Sequence, residues 1–83
     1  MDEEFVKSVA RSSYRVKILK SLGEKPKMPS QLAADCNILQ NHISNVLSYL
    51  GELGLVVCIN PEIRKGRIYR LSEDGEEILK YLE

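Results

Sequence analysis

The sequence predicts an α+β fold, mainly α, in which a three-helix core precedes a β-hairpin and further helices flank both ends. Apolar residues recur at helical spacing up to about residue 53, and two short β-rich runs then surround a turn region. Helical spacing returns over residues 72–83. With no repeat and no long linker, residues 1–83 predict a single domain.

The first third of the chain predicts two helices. An N-terminal extension, residues 1–12, contains a short helix from about Glu3 to Ala10, and the next helix covers about Ser13 to Leu22. Gly23 is expected to end that helix in the left-handed conformation typical of a C-terminal glycine. Residues 25–27 predict a connector.

The next two helices are expected to meet at a sharp turn. Pro29 favours a first helical turn, and Asn37 tolerates the left-handed backbone that such an exit requires. A longer helix follows from about Gln40 to Leu53, with its apolar residues within roughly 120° of arc. The opposite face is uncharged except for Glu52, and its short polar residues are Gln40, Asn41, Ser44, Asn45 and Ser48.

A hairpin and a last helix complete the chain. Two strands are predicted over residues 55–59 and 67–71, and the turn region between them runs from Asn60 to Gly66. Ser72 is expected to cap the C-terminal helix, residues 72–83, whose first turn is rich in carboxylates.

In this order, the segments resemble the winged helix-turn-helix transcription regulators of bacteria and archaea, the ArsR-like and MarR-like repressors. The resemblance implies that the third core helix, residues 40–52, enters the major groove of double-stranded DNA. It also implies that the hairpin wing, residues 60–67, contacts the backbone or the minor groove. The matching segments, about three quarters of the chain, are Tyr-Arg-Val-Lys-Ile-Leu-Lys-Ser-Leu (14–22), Pro-Ser-Gln-Leu-Ala (29–33), residues 38–47, Gly-Glu-Leu-Gly-Leu-Val (51–56) and Tyr-Arg-Leu-Ser-Glu-Asp-Gly (69–75).

The sequence departs from that family pattern at two positions. Leu39 stands where a Ser or Thr helix cap is common, and Asn45 stands where an Arg is common. The predicted recognition helix therefore has no cation, and its hold on phosphates is expected to come from other elements.

The uncharged face of residues 40–48 has two interpretations. It is either a solvated helix face or a surface that reads bases, since Asn and Gln side chains can bond adenine N6 and N7 together. Short amide and hydroxyl side chains allow close approach to bases, and we therefore expect Gln40, Asn41, Ser44, Asn45 and Ser48 to read them. Without Arg the helix lacks the commonest contact to guanine, so we expect an A·T-leaning half-site.

Charge is unevenly distributed although the net charge is zero and the pI is near 6.6. Residues 7–27 carry +6 and residues 64–70 carry +4, whereas residues 28–63 contain no Lys or Arg. Arg64, Lys65 and Arg67, at the tip of the predicted hairpin, either make the turn soluble or contact DNA phosphates. We expect phosphate contacts. The basic residues of positions 11–20 are equally compatible with a solubilising role. Candidate contacts to the DNA backbone or minor groove are Lys25, Lys27, His42, Arg64, Lys65 and Arg67.

Both chain ends carry more apolar surface than a small monomer needs. A thin core in an 83-residue chain would gain from a partner subunit. The sequence therefore predicts a homodimer, with packing of the ends onto their own domain as the alternative. The candidate dimer contacts are Phe5, Val6, Val9, Leu79, Tyr81 and Leu82.

Other functional classes lack their motifs. A solitary His42 and scattered carboxylates predict neither an enzyme nor a cofactor or metal site, and Cys36 and Cys58 are expected to be small buried hydrophobes with free thiols. An acidic N-terminus without a long apolar run predicts a cytoplasmic protein with no membrane segment. The alternative function is a winged helix used for protein–protein interaction. A ligand-sensing or metal-sensing repressor would need a site that the sequence does not display.

Overall fold

The computed structural model describes all 83 residues and has the predicted α+β, mainly α, architecture. Five helices and one antiparallel hairpin follow one another along the chain. The elements are α1 (Glu3–Ala10), α2 (Ser13–Leu22), α3 (Pro29–Cys36), α4 (Gln40–Glu52), β1 (Val56–Cys58), β2 (Tyr69–Leu71) and α5 (Glu73–Leu82).

Side-chain caps fix where three of the helices begin. The Asp2 carboxylate accepts from the Glu4 N–H at 3.0 Å, and the Ser12 hydroxyl accepts from the Arg15 N–H at 3.3 Å. The Ser72 hydroxyl accepts from the Gly75 N–H at 3.0 Å, so the predicted cap of the last helix is confirmed. Helix α4 has no side-chain cap, because Leu39 holds the N-cap position.

The sharp turn between α3 and α4 is made by Asn37. Its φ of 55° and ψ of 49° lie in the left-handed region, as predicted. The Ile38 N–H then donates to the Ala33 carbonyl at 3.1 Å, and the Ile38 side chain is buried. This turn fixes the angle between the two helices and leaves the polar side of α4 open.

Gly23 ends α2 in a different way from the prediction. Its φ is −61°, a right-handed helical value, so the expected left-handed exit is wrong. A Cβ at this position would lie 2.5 Å from Cδ2 of Leu79. The end of α2 therefore approaches α5 closely, and a larger residue here would require the Leu79 side chain to move.

The hairpin strands are shorter than the predicted runs. β1 pairs with β2 in the register Val56↔Leu71 and Cys58↔Tyr69, and one further bond joins the Ile59 N–H to the Ile68 carbonyl. Lys27 also pairs with Tyr69, because each N–H donates to the other's carbonyl, at 3.0 and 2.9 Å. The segment predicted as a connector is thus tied to the wing strand.

The core is one cluster of 14 buried hydrophobic residues to which every helix contributes. Val9 belongs to it with no exposed surface, so its prediction as a dimer contact is wrong: neighbouring elements already cover it. The other predicted dimer residues sit further out. Tyr81 is 55% exposed, and the side chains that pack half-buried against the core are Phe5, Val6, Leu79 and Leu82.

Helix length and composition also bear on membranes. The helices are all too short or too polar to span a bilayer.

Candidate nucleic-acid interface

The exposed face of α4 carries all five residues predicted to read bases. Ile43, Leu47 and Leu50 are buried, which turns the opposite side of the helix outward. No side chain of this face makes a hydrogen bond within the chain, so its donors and acceptors are free for a ligand. We call these residues the amide face: Gln40, Asn41, Ser44, Asn45 and Ser48, each of them exposed.

One edge of the amide face shares an open cleft with the wing. The cleft has a volume of about 510 Å³. It lies between α4, the start of α3 and the tip of the hairpin. Gln40, Ser44 and Ser48 line it, whereas Asn41 and Asn45 are exposed beyond its rim. The facing wall consists of Arg64, Lys65, Gly66 and Arg67. The start of α3 contributes Pro29 and Ser30, together with Met28 at its N-cap.

The wing tip is held in shape by its own side chains. The Asn60 amide oxygen accepts from the Ile68 N–H at 2.7 Å, and its NH₂ group donates to the Gly66 carbonyl at 3.1 Å. Gly66 has a φ of +81°, a conformation that favours glycine. The Arg67 guanidinium donates to the carbonyls of Ile63 at 2.7 Å and Pro61 at 3.2 Å. The turn is therefore an organised loop.

The three wing cations consequently differ in role. Arg67 closes the loop through two of its donors, whereas Arg64 and Lys65 are exposed and take part in no ion pair. Arg64 and Lys65 therefore have all their donors free, whereas Arg67 has an unpaired charge but uses two of its five N–H donors on the loop.

The structure corrects the prediction for Lys27 and leaves Lys25 exposed. Lys27 is 3% exposed, and its ammonium donates to Ser21 Oγ at 2.8 Å, Glu24 Oε1 at 2.8 Å and Asp35 Oδ2 at 2.7 Å. All three N–H donors are used inside the chain, so Lys27 has none left for a phosphate. The sequence did not show this because Asp35 lies on α3, and only the fold brings it to Lys27.

The pKa shifts of Lys27 and Asp35 agree with a buried, paired role for Lys27. Burial on its own would lower the pKa of Lys27, but the hydrogen bonds to Asp35 and Glu24 outweigh it and raise the pKa above its ordinary value. The same hydrogen bond from Lys27 lowers the pKa of Asp35. We call this group, Ser21, Glu24, Lys27 and Asp35, the lysine cluster.

The other edge of α4 carries His42 and an arginine that the sequence analysis did not select. His42 is exposed, with its ring centroid 5.8 Å from that of Tyr14. The Arg15 guanidinium lies 4.1 Å from the centroid of the Tyr49 ring, and its Nη1 donates to the Ser8 carbonyl at 3.0 Å. Helical spacing indicated that His42 and Tyr49 share an edge, but no local pattern indicates that α2 brings Arg15 to them.

The cysteines differ in burial. Cys36 is buried, which raises the pKa of its thiol, and Cys58 is half-buried. No group of three or more His, Cys, Asp or Glu side chains is arranged to hold a metal ion.

Comparisons with known proteins identify the family to which the chain is similar. The family model described as "Bacterial regulatory protein, arsR family" matches residues 12–57, which is more than half of the chain and includes α2, α3, α4 and the start of β1. The comparison with curated proteins returned no match.

Solved structures share the fold over nearly the whole chain. NadR, crystallised with 4-hydroxyphenylacetate, superposes with a TM-score of 0.77 at 23% identity, covering 95% of this chain and 58% of its own. A mutant of ZitR from Lactococcus lactis gives 0.77 at 19% identity, covering 95% and 59%. The MarR family transcriptional regulator SPO1453 from Silicibacter pomeroyi DSS-3 gives 0.78 at 18% identity, covering 95% and 57%.

The chain thus spans less than two thirds of the length of the solved structures that it matches. Their similarity establishes the winged-helix fold, and the family model adds the family. The chain therefore belongs to the arsR family of bacterial regulatory proteins and has the winged helix-turn-helix fold.

Proposed function

We propose that the chain binds double-stranded DNA sequence-specifically, with α4 in the major groove and the wing tip on the backbone or minor groove. One observation carries the proposal: uncommitted polar side chains of α4 and the free cations of the wing line the same open cleft. Base edges are read by hydrogen bonds from groups such as the former, and phosphates are held by groups such as the latter.

The amide face supplies the chemistry for base readout. Asn41 and Asn45 lie one helical turn apart on the exposed side of α4, where each can present an acceptor and a donor to adenine. The helix has no Arg or Lys with which to bond guanine. We therefore expect selection from randomised duplexes to return A·T-leaning half-sites, and a G·C-rich consensus would contradict this readout.

Backbone contacts are assigned to exposed cations and donors around that face. Arg64 and Lys65 are the principal contacts because their exposed side chains make neither an ion pair nor a hydrogen bond within the chain, which leaves all their donors free. Ser30, at the start of α3 and lining the cleft, adds a hydroxyl donor that the sequence analysis did not select. Lys25 and His42, both exposed, remain secondary contacts, and Arg67 acts chiefly by shaping the loop.

A two-fold dimer would place two copies of α4 on two half-sites, about one helical turn of DNA apart. The surface that supports it lies at the chain ends, where Met1, Val6 and Tyr81 line one depression together with Glu3 and Lys7. Phe5, Leu79 and Leu82 are half-buried nearby. Sedimentation at high protein concentration tests this, and a strict monomer would contradict it.

Fluorescence anisotropy with a labelled duplex from the region upstream of the gene tests the DNA contact. We expect the double variant Arg64→Ala, Lys65→Ala to bind more weakly. It should also lower the magnitude of the log–log salt slope by about 1.8 per protomer, about 0.9 for each lost phosphate contact. The matched control is Lys17→Ala, Lys20→Ala, which removes two exposed cations from α2.

Two results would contradict the proposal. If the wing variant and the control bind alike, the wing does not contact the backbone. If the unmodified protein binds no duplex even at low salt, the amide face is more consistent with a docking surface for another protein, the second use of this fold.

A further inference from the structure

The exposed side of α4 has two edges, and only one of them faces the wing. At 100° per residue, Gln40 and Tyr49 lie about 180° apart around the helix. Gln40 lines the cleft with the wing cations, whereas Tyr49 lies on the far edge, beside Arg15 from α2. Asn41 and Asn45 lie between these edges.

The guanidinium on the far edge is held in place but not neutralised. It stacks 4.1 Å from the centroid of the Tyr49 ring, and one of its five N–H donors is used on the Ser8 carbonyl. Arg15 makes no ion pair with any carboxylate. An arginine that is ordered by stacking loses little freedom on binding an anion, and its free donors suit a phosphate.

Two exposed side chains extend the same edge. Tyr14, 38% exposed, precedes Arg15 in α2, and its ring lies 5.8 Å from that of His42 in α4. A phenol hydroxyl and an imidazole N–H are both donors of the kind that contacts phosphate oxygens. Acidic side chains are absent from these contacts.

The geometry points to a second phosphate-binding edge, formed by Arg15 stacked on the Tyr49 ring, with Tyr14 and His42 beside it. This edge binds the DNA strand opposite the one that the wing contacts. This inference rests on the proposed function. A major groove about 12 Å wide is nearly filled by a helix 10–12 Å across, so side chains at both edges of α4 meet a backbone. The cation-free helix is then flanked by cations that its neighbours supply on both sides.

The test compares Arg15→Gln with Lys20→Gln in the anisotropy titration at two salt concentrations. Both changes remove one cation from α2, but Lys20 lines a different cleft, with Glu24 and Asp35. We expect Arg15→Gln to weaken duplex binding about tenfold and to reduce the salt slope by about 0.9 per protomer, as for one lost charged contact. Lys20→Gln should bind like the unmodified protein.

Two variants of Tyr49 separate DNA contact from packing. Tyr49→Leu removes the platform beneath the guanidinium and should lose part of the affinity, whereas Tyr49→Phe keeps the ring and should retain it. Thermal melts without DNA show whether either variant has lost stability. A loss of affinity that only follows the loss of stability would overturn the inference.

Phosphate-ethylation interference on the unmodified protein adds a measurement that needs no variant. We expect interfering phosphates on both strands that border the groove, and Arg15→Gln should relieve only the set away from the wing. A single set on the wing side would overturn the second edge.

The two proposals fail differently. If Arg64→Ala, Lys65→Ala weakens binding while Arg15→Gln matches Lys20→Gln, the second edge is wrong and the proposed function stands. If neither the wing variant nor Arg15→Gln changes binding, both are wrong.

Discussion

Two short basic segments, residues 25–27 and 64–67, are similar in sequence but have different roles in the structure. Lys27 is buried and bonded to Ser21, Glu24 and Asp35, whereas Arg64 and Lys65 are exposed without a partner. Carboxylates from α3 and from the turn after α2 reach Lys27, and no carboxylate pairs with the wing tip. The partners that the fold gathers around a lysine thus decide whether it stabilises the fold or remains available to a ligand.

The lysine cluster also positions the wing. The Lys27 side chain joins α2 to α3, while its backbone pairs with Tyr69 in the second wing strand. One residue therefore connects the helix-turn-helix to the strand that leads out of the wing tip.

Replacing the buried cation should give the largest effect on stability. We expect Lys27→Met to lower the free energy of unfolding by about 1–3 kcal/mol, because three hydrogen bonds are lost and Ser21 loses its buried donor. Chemical denaturation measures this. Lys25→Met, two positions away and exposed, is the control and should stay within about 0.5 kcal/mol. Equal effects of the two changes would show that the buried, paired Lys27 stabilises the fold no more than an exposed lysine does.

The start of α4 extends the comparison from charges to helix caps. Leu39 is 70% exposed at the N-cap of α4 and supplies no capping oxygen. The first turn of α4, on the proposed DNA side, is therefore less stable than a capped turn would be. Leu39→Ser should raise the free energy of unfolding by about 1 kcal/mol. Thermal unfolding tests this against Leu39→Ala, which removes the apolar side chain without adding a cap. A serine variant no more stable than the alanine variant would contradict the expectation.

The smallest expected effect is the acid dependence of the lysine cluster. Lys27 lowers the pKa of Asp35 below its ordinary value of 3.8, so its stabilising contribution is complete above that value and is lost as the pH falls through the lowered one. Thermal melts from pH 6 to below pH 3 should show this loss in the unmodified protein and a shallower one in Asp35→Asn. Identical acid profiles would mean that the ion pair adds no stability.

Periodicity and local chemistry predicted most of the fold. The polar face of α4, the left-handed Asn37 and the Ser72 cap each depend on neighbours within a turn or two, which sequence patterns record. The burial of Lys27 and Val9 depends on which elements pack over them. The close approach of Gly23 to Leu79 likewise joins residues that are far apart in sequence.

The candidate site also has some features that the sequence predicted and others that it did not. Exposure of the amide face follows from the buried residues of its own helix, and it was predictable. The stacking of Arg15 on Tyr49 joins α2 to α4 across 34 positions, and the closure of the wing loop by Arg67 depends on carbonyl positions that no side-chain pattern encodes. Interactions between elements are what the sequence pattern leaves out.

The central claim is that an uncharged helix face is held on the duplex by cations from the neighbouring wing. Its most direct test is an amide NMR titration of the labelled protein with duplex DNA. We predict that the side-chain NH₂ signals of Gln40, Asn41 and Asn45 shift together with the backbone amides of residues 64–67. Shifts confined to α1 and α5, with the amide face and the wing tip unchanged, would contradict the account.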